Sequence, residues 1–290
     1  MSLKISAISL PIVSILSCLC FTSPSHGTPY FQDSFESGDK LHVENGVKWL
    51  GAAGSVTPSS DTARTGTKSL KFQYPATSSG SDSTSEQRFS LGSARNDVYI
   101  RYYIKFPSNY TIRNEEPGNN KFIEIWGEEP NYGTDTQLAG SEAWATTSGV
   151  MQLGPTAYMN SAKALSYVAG SSYNHIWWHG VLNSWTLTSN DLNKWLCFEW
   201  HFKKDTGTGN GSLEFFVDGN KKWGSTSLSF AGAPTASYFK TGYLMGWSNS
   251  GFNQNTAIYI DDVVISDSYV GPDSAGAVLN APTNLTVIAR

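Results

Sequence analysis

Three stretches of the chain place ionisable and aromatic side chains at every second residue. That spacing marks one face of a β-strand, because successive side chains leave opposite faces. In 98–106, Arg101, Tyr103 and Lys105 alternate with Val98, Ile100, Tyr102, Ile104 and Phe106. In 196–203, Glu199, His201 and Lys203 alternate with Leu196, Phe198, Trp200 and Phe202. In 121–126, Phe122, Glu124 and Trp126 share a face and Lys121 opens the strand. If the polar faces meet on one sheet, bases, acids and aromatic rings line a common surface. His201 titrates near neutrality, and a positioned acid or base contributes about 10²–10⁴-fold. His201 and Tyr103 are therefore the pair best suited to proton transfer. Arg101 and Lys121 supply cations for an anionic group. A plain solvated face, which antiparallel sheets commonly have, would show the same pattern.

Other constellations are weaker. His175 and His179 are four apart; on a strand they would lie about 13 Å from each other, too far to share one ion. The first of them also lacks the neighbouring glutamate of a helical zinc motif. There is no Cys/His cluster with zinc spacing, no Gly-rich phosphate loop and no G-x-S-x-G elbow. Of three cysteines, Cys18 and Cys20 lie near the N-terminus and Cys197 lies in a strand. One remaining cysteine cannot form an internal disulfide, so stability must come from core burial.

The frame that must position these residues reads as all-β. The chain has 290 residues, 39% hydrophobic, 13% aromatic and 15% charged, with net charge −4. That balance argues against a general nucleic-acid binder, which would be basic. Beyond the N-terminus no apolar run approaches the roughly 20 residues of a membrane span. Residues 1–27 read as an export signal: Lys4, an apolar stretch over 10–21, then Ser25-His26-Gly27 before the cleavage point. The expected location is secreted, periplasmic or cell-surface. Ile15-Leu16-Ser17-Cys18 offers a lipid-anchored variant through Cys18. Short strands follow, separated by Gly, Pro, Asn and Asp, as in a sandwich or barrel. One strand over 213–218 ends at Asp218-Gly219, a hairpin signal, and a late strand covers 258–266. Segments 77–85 and 111–120 read as surface loops, and 160–169 as a short helix or a loop. One domain is expected over 28–270, and 271–290 has the composition of a linker-like tail.

Four segments together carry a resemblance. They are 33–39 (Asp-Ser-Phe-Glu-Ser-Gly-Asp), 65–72 (Thr-Gly-Thr-Lys-Ser-Leu-Lys-Phe), 195–203 running into 211–219, and 259–266 (Tyr-Ile-Asp-Asp-Val-Val-Ile-Ser). From about Tyr30 to Val270 the chain resembles the concanavalin-A-like jelly rolls of the heparin-lyase-like and glucuronan-lyase-like polysaccharide lyases and related glycan-binding modules. The resemblance implies a jelly-roll β-sandwich of two antiparallel sheets, one of them concave and carrying a glycan groove. It implies β-elimination on an acidic, uronate polysaccharide. Such a lyase must neutralise the sugar carboxylate, remove the proton alpha to it and protonate the leaving oxygen. Arg101, Tyr103 and His201 are the candidates for that work. Lys121, Glu124, Trp126, Glu199, Lys203 and Trp247 are the candidates for substrate contact.

Two other functions fit the same fold: a non-catalytic carbohydrate-binding or adhesion protein, and a glycoside hydrolase. For the latter, Glu124-Ile125-Trp126-Gly127-Glu128 resembles the catalytic strand of the laminarinase and lichenase family, but Trp126 replaces that family's central aspartate. Retaining hydrolysis needs carboxyls about 5–5.5 Å apart, which this spacing reaches only with a bulge. The resemblance further implies a structural calcium between the ends of the domain. Ca²⁺ takes 6–8 oxygens, and Glu36 and Asp261 are the expected ligands, since Asp261 and Asp262 should point to opposite faces.

Overall fold

The structure is a computed structural model. It describes residues 29–110, 113, 119–127, 137–145, 151–158, 165–167, 171–173, 175–177, 185–204, 206, 209–229 and 239–273, those between 137 and 177 by backbone pairing. The segment expected to be an export signal (residues 1–27), Trp178, His179, Glu128 and residues 274–290 lie outside the described residues.

Strands follow the alternation of the sequence. In chain order they are β1 (Phe31–Asp33), β2 (Val43–Glu44), β3 (Val47–Ser59), β4 (Ser69–Tyr74), β5 (Ser83–Arg95), β6 (Asp97–Lys105), β7 (Asn119–Trp126), β8 (Gln137–Ala145) and β9 (Met151–Tyr158). There follow β10 (Leu165–Tyr167), β11 (Ser171–Tyr173), β12 (His175–Trp177), β13 (Trp185–Leu187), β14 (Trp195–Lys203), β15 (Gly211–Val217), β16 (Asn220–Ser229), β17 (Phe239–Ser248) and β18 (Thr256–Ser266). Asp218 and Gly219 make the turn joining β15 to β16, as their pairing predicts. Three local readings change. Residues 83–85 begin β5, 119–120 begin β7, and 165–167 form β10. Among the described residues the only helical element is a 3₁₀ turn, Ser189–Asp191.

The strands form two antiparallel layers. The first runs β3–β4–β18–β6–β14–β15–β16–β10–β11, with β1 against the end of β18. The second runs β2–β3–β5–β17–β7–β8–β9, with β12 and β13 beside β9. Strand β3 belongs to both: Ala52–Gly54 pair with β5, and Ser55–Ser59 pair with β4. Gly54 makes this corner at φ 69°, and a Cβ there would sit 2.1 Å from the Thr84 carbonyl oxygen. Only glycine accepts both conditions. This is the jelly-roll sandwich expected from the sequence.

The inner faces meet in a core rich in aromatic rings. Trp200 stacks on Phe215 at 4.1 Å and donates its indole N–H to the Tyr102 hydroxyl at 3.0 Å. Burial of such rings removes much apolar surface while satisfying the polar handle. The fold thus leaves each sheet one outer face on which function can be sought.

Candidate functional site

The expected catalytic residues share a face, but it is not an open groove. Strands β6 and β14 are neighbours in the first sheet, with Arg101 opposite Glu199 and Tyr103 opposite Cys197. Strand β7 lies in the other sheet, so its polar face does not join theirs. Arg101, Tyr103, Glu199 and His201 are all buried. The chain after β18 crosses above Arg101, Tyr103 and Glu199 as a strap. Glu199 accepts the N–H groups of Val270 and Gly271, both at 2.7 Å. The Tyr103 hydroxyl accepts the N–H of Asp273 at 2.8 Å. Arg101 holds the Asp273 carboxylate at 3.0 Å, and Arg64 holds it at 3.0 Å while lying 3.4 Å over the Tyr103 ring. The domain limit expected after Val270 therefore falls inside the strap.

The ionisation of this face follows from its burial. Burial pushes the Tyr103 phenol up to about 12. Burial also raises Glu199, against the pull of its two N–H donors. His201 sits between Glu214 at 2.7 Å and Asp97 at 2.8 Å and stacks on Tyr99 at 4.0 Å. Burial disfavours its charged form, yet the two carboxylates outweigh that and its pKa is raised. Lys203 reaches Asp97 at 3.4 Å at the exposed end. These groups are engaged with the protein itself, and their buried pairs hold a segment in place.

Glu36 and Asp261, the expected calcium ligands, both accept backbone N–H groups. Glu36 accepts the backbone N–H groups of Thr67 and Lys68 and the Thr67 hydroxyl. Asp261 accepts the N–H groups of Arg64, Thr65 and Asp262. Asp262 adopts φ 49° within a bulge of β18, which turns its carboxylate to Arg64 at 2.6 Å and to the Thr65 hydroxyl. The two aspartates thus bind the same segment, contrary to the opposite faces expected of a regular strand. Burial, and then the Asp262 charge, raise the Asp261 carboxyl to about 7. Oxygens that face N–H hydrogens, beside a guanidinium, do not fit the 6–8 oxygen shell of calcium. Among the described residues no group of three or more His, Cys, Asp or Glu could hold a metal.

The outer face of the second sheet carries another buried polar cluster, bordered by partly exposed side chains. Arg88 on β5, Tyr243 on β17 and Glu124 on β7 are direct neighbours across three strands. Glu86, two residues before Arg88 and on the same face, pairs with its guanidinium at 2.5 Å. Trp126, two residues after Glu124, packs its ring 5.0 Å from that of Tyr243. Glu86, Glu124, Trp126 and Tyr243 are buried without joining the hydrophobic core. Buried charges on the face away from the core cost stability, and such groups concentrate where chemistry is done. Lys121 stays partly exposed beside them, and Trp247 is 39% exposed along β17. So Lys121, Glu124, Trp126 and Trp247 gather on this sheet, while Glu199 and Lys203 lie on the other.

A break in β17 shapes the site. Met245 takes φ 58° and turns into the core. Gly246 follows, held by the Tyr74 hydroxyl, which reaches across the core to its N–H and carbonyl. A Cβ at Gly246 would approach the Tyr243 ring to 2.9 Å and the Lys121 Cβ to 3.2 Å. The missing side chain lets lysine and phenol lie side by side.

Sequence reasoning missed Glu86, Arg88 and Tyr243. The available signal was Glu-x-Arg at strand spacing, close to Phe89 and Leu91 in the core. It was hidden because the opposite face of β5 is polar too: Ser83, Ser85 and Gln87 are buried there. Gln87 bridges the Leu50 carbonyl and Lys40.

Several solved structures are similar to this chain, and the first of these shares its architecture. An alginate lyase from a Chlorella virus superposes with a TM-score of 0.51 at 14% identity, covering 77% of this chain and 93% of that one. An alginate lyase from Pseudomonas aeruginosa gives 0.41 at 13% identity, over 68% and 82%. The carbohydrate recognition domain of Emp46p gives 0.44 at 12% identity, over 77% and 89%. At such identities the likeness concerns the fold. A comparison with curated protein sequences gave no match. Residues 34–264 match the polysaccharide lyase family profile, which spans most of the chain, and the chain accordingly belongs to the polysaccharide lyase family.

Proposed function

We propose that this chain is an exported lyase that cleaves a uronate polysaccharide by β-elimination on the outer face of the second sheet. The observation that carries this reading is the row Arg88–Tyr243–Glu124 across adjacent strands, with Lys121 beside it. Elimination needs a cation at the sugar carboxylate, a base for the proton alpha to it, and an acid for the leaving oxygen. Arg88 and Lys121 supply the positive charge that stabilises the carboxylate as electron density moves onto it. The Tyr243 phenol, walled by Trp126, exchanges the protons. Entering the step as phenolate beside the Lys121 and Arg88 cations, it takes the alpha proton, the electron pair forms the new C=C bond, the glycosidic C–O bond breaks, and the phenol so formed returns that proton to the leaving oxygen. Glu124 and Glu86 orient the cations and the sugar hydroxyls. Trp247 offers an apolar platform to a sugar ring.

The test is absorbance at 230–240 nm on polymers of mannuronate, guluronate, glucuronate and galacturonate. A rise on at least one, from the unsaturated product, is expected. Binding to the panel with no rise on any polymer would instead favour a carbohydrate-binding protein.

A further inference from the structure

The outer face of the first sheet is closed by the strap only at one end. Two residues beyond Tyr103 along β6, a different row begins. Trp195 on β14 lies opposite Lys105 on β6; Lys105 lies opposite Tyr259 on β18; Tyr259 lies opposite Lys71 on β4. All four side chains alternate with core residues and are partly exposed. Aromatic and cationic groups therefore take turns across four adjacent strands. Strands are about 4.8 Å apart, close to the advance of one pyranose in a linear chain.

A cavity of about 250 Å³ opens in this row, lined by Asp61, Thr62, Lys105, Ser108, Asn193 and Tyr259 among others. Asp61 is already paired, with Lys71 at 2.7 Å and the Tyr259 hydroxyl at 3.1 Å. The ammonium of Lys105 is bonded to the Thr62 hydroxyl at 3.2 Å, leaving its charge uncompensated by an acid at that contact. The local balance is thus positive in a chain whose net charge is −4. Flat rings suit the apolar faces of sugars, lysine suits a carboxylate, and the amide and hydroxyl groups suit sugar hydroxyls.

We propose that this row is a second polysaccharide-binding track, separate from the cleavage site, which takes a linear carboxylate-bearing glycan laid across the strands. Its ligand class rests on the uronate reading of the function; its geometry does not. Two contacts on opposite faces would hold a long polymer while one site works on it.

The test is calorimetric titration with uronate oligomers in a Tyr243→Phe background, comparing it with the added pair Lys105→Ala and Tyr259→Ala. The track predicts that binding stoichiometry falls from two to one. If the chain has no other glycan site, the track alone predicts a fall from one to none. Affinity electrophoresis should show polyuronate retention about 5–10-fold weaker in the pair, and retention of the wild type should fall as salt rises. Tyr259→Phe keeps the ring and should keep binding, which guards against a folding defect. Unchanged stoichiometry in a folded pair would overturn the track. Equal loss of retention on a neutral glucan would overturn its preference for carboxylates.

Discussion

Replacing Arg101 by methionine separates a structural from a catalytic role. Arg101 is 1% exposed and makes its ion pair with Asp273 at 3.0 Å and a bond to the Asp262 carbonyl at 3.1 Å. Breaking a buried pair by removing one partner costs about 3–5 kcal/mol. Asp273 keeps Arg64 at 3.0 Å, so the lower end, about 3 kcal/mol, applies. Methionine fills similar volume, which limits any cavity contribution. In a domain of this size each kcal/mol moves Tm by roughly 2–4 °C. Arg101→Met should therefore lower Tm by about 6–12 °C. The rate of product formation at 25 °C should stay within about threefold, because the second sheet is untouched and distant effects are close to independent. Scanning calorimetry and the absorbance assay on one preparation read both. A rate lost by a factor of 100 or more with an unchanged Tm would refute the reasoning and return catalysis to the first sheet.

Other consequences follow from the same geometry. His201 gains two carboxylate partners and its pKa is raised; its stabilisation is complete below the ordinary histidine value and is lost as pH rises through the folded value. The Tm gap between wild type and His201→Gln should thus shrink from pH 6 to pH 9, and a gap that widens would contradict it. Calcium or a chelator should leave Tm unchanged, because Glu36 and Asp261 already accept N–H groups; a shift of several degrees would restore the calcium site. Gly246→Ala must push against the Tyr243 ring. It should cost about 1–3 kcal/mol in a denaturant titration and slow turnover, whereas wild-type rates would show that the Tyr243–Lys121 approach is idle.

Much of the fold was legible because it is written locally. Period-two alternation in 98–106 and 196–203 gave β6 and β14, and Asp218-Gly219 gave the hairpin. The site was harder because it depends on which strands become neighbours. Alternation tells which residues share a face, not which sheet the strand joins. Arg101 and His201 do share one face, but the strap that covers Arg101 is tied by Asp273, about 170 residues beyond it in sequence. Bulges were also invisible. Asp262 at φ 49° and Met245 at φ 58° each reset the alternation of a strand, one by turning a carboxylate and the other by turning a side chain into the core. Strand β5 hid Glu86 and Arg88 because both its faces carry polar residues.

The most direct test of the account is the initial rate of Tyr243→Phe on whichever polyuronate the wild type cleaves. The variant keeps the ring contact with Trp126 at 5.0 Å and removes only the hydroxyl. The account predicts a rate about 10²–10⁴-fold lower, with oligomer affinity and Tm nearly unchanged. A rate within a few-fold of wild type would contradict the assignment of proton transfer to the second sheet.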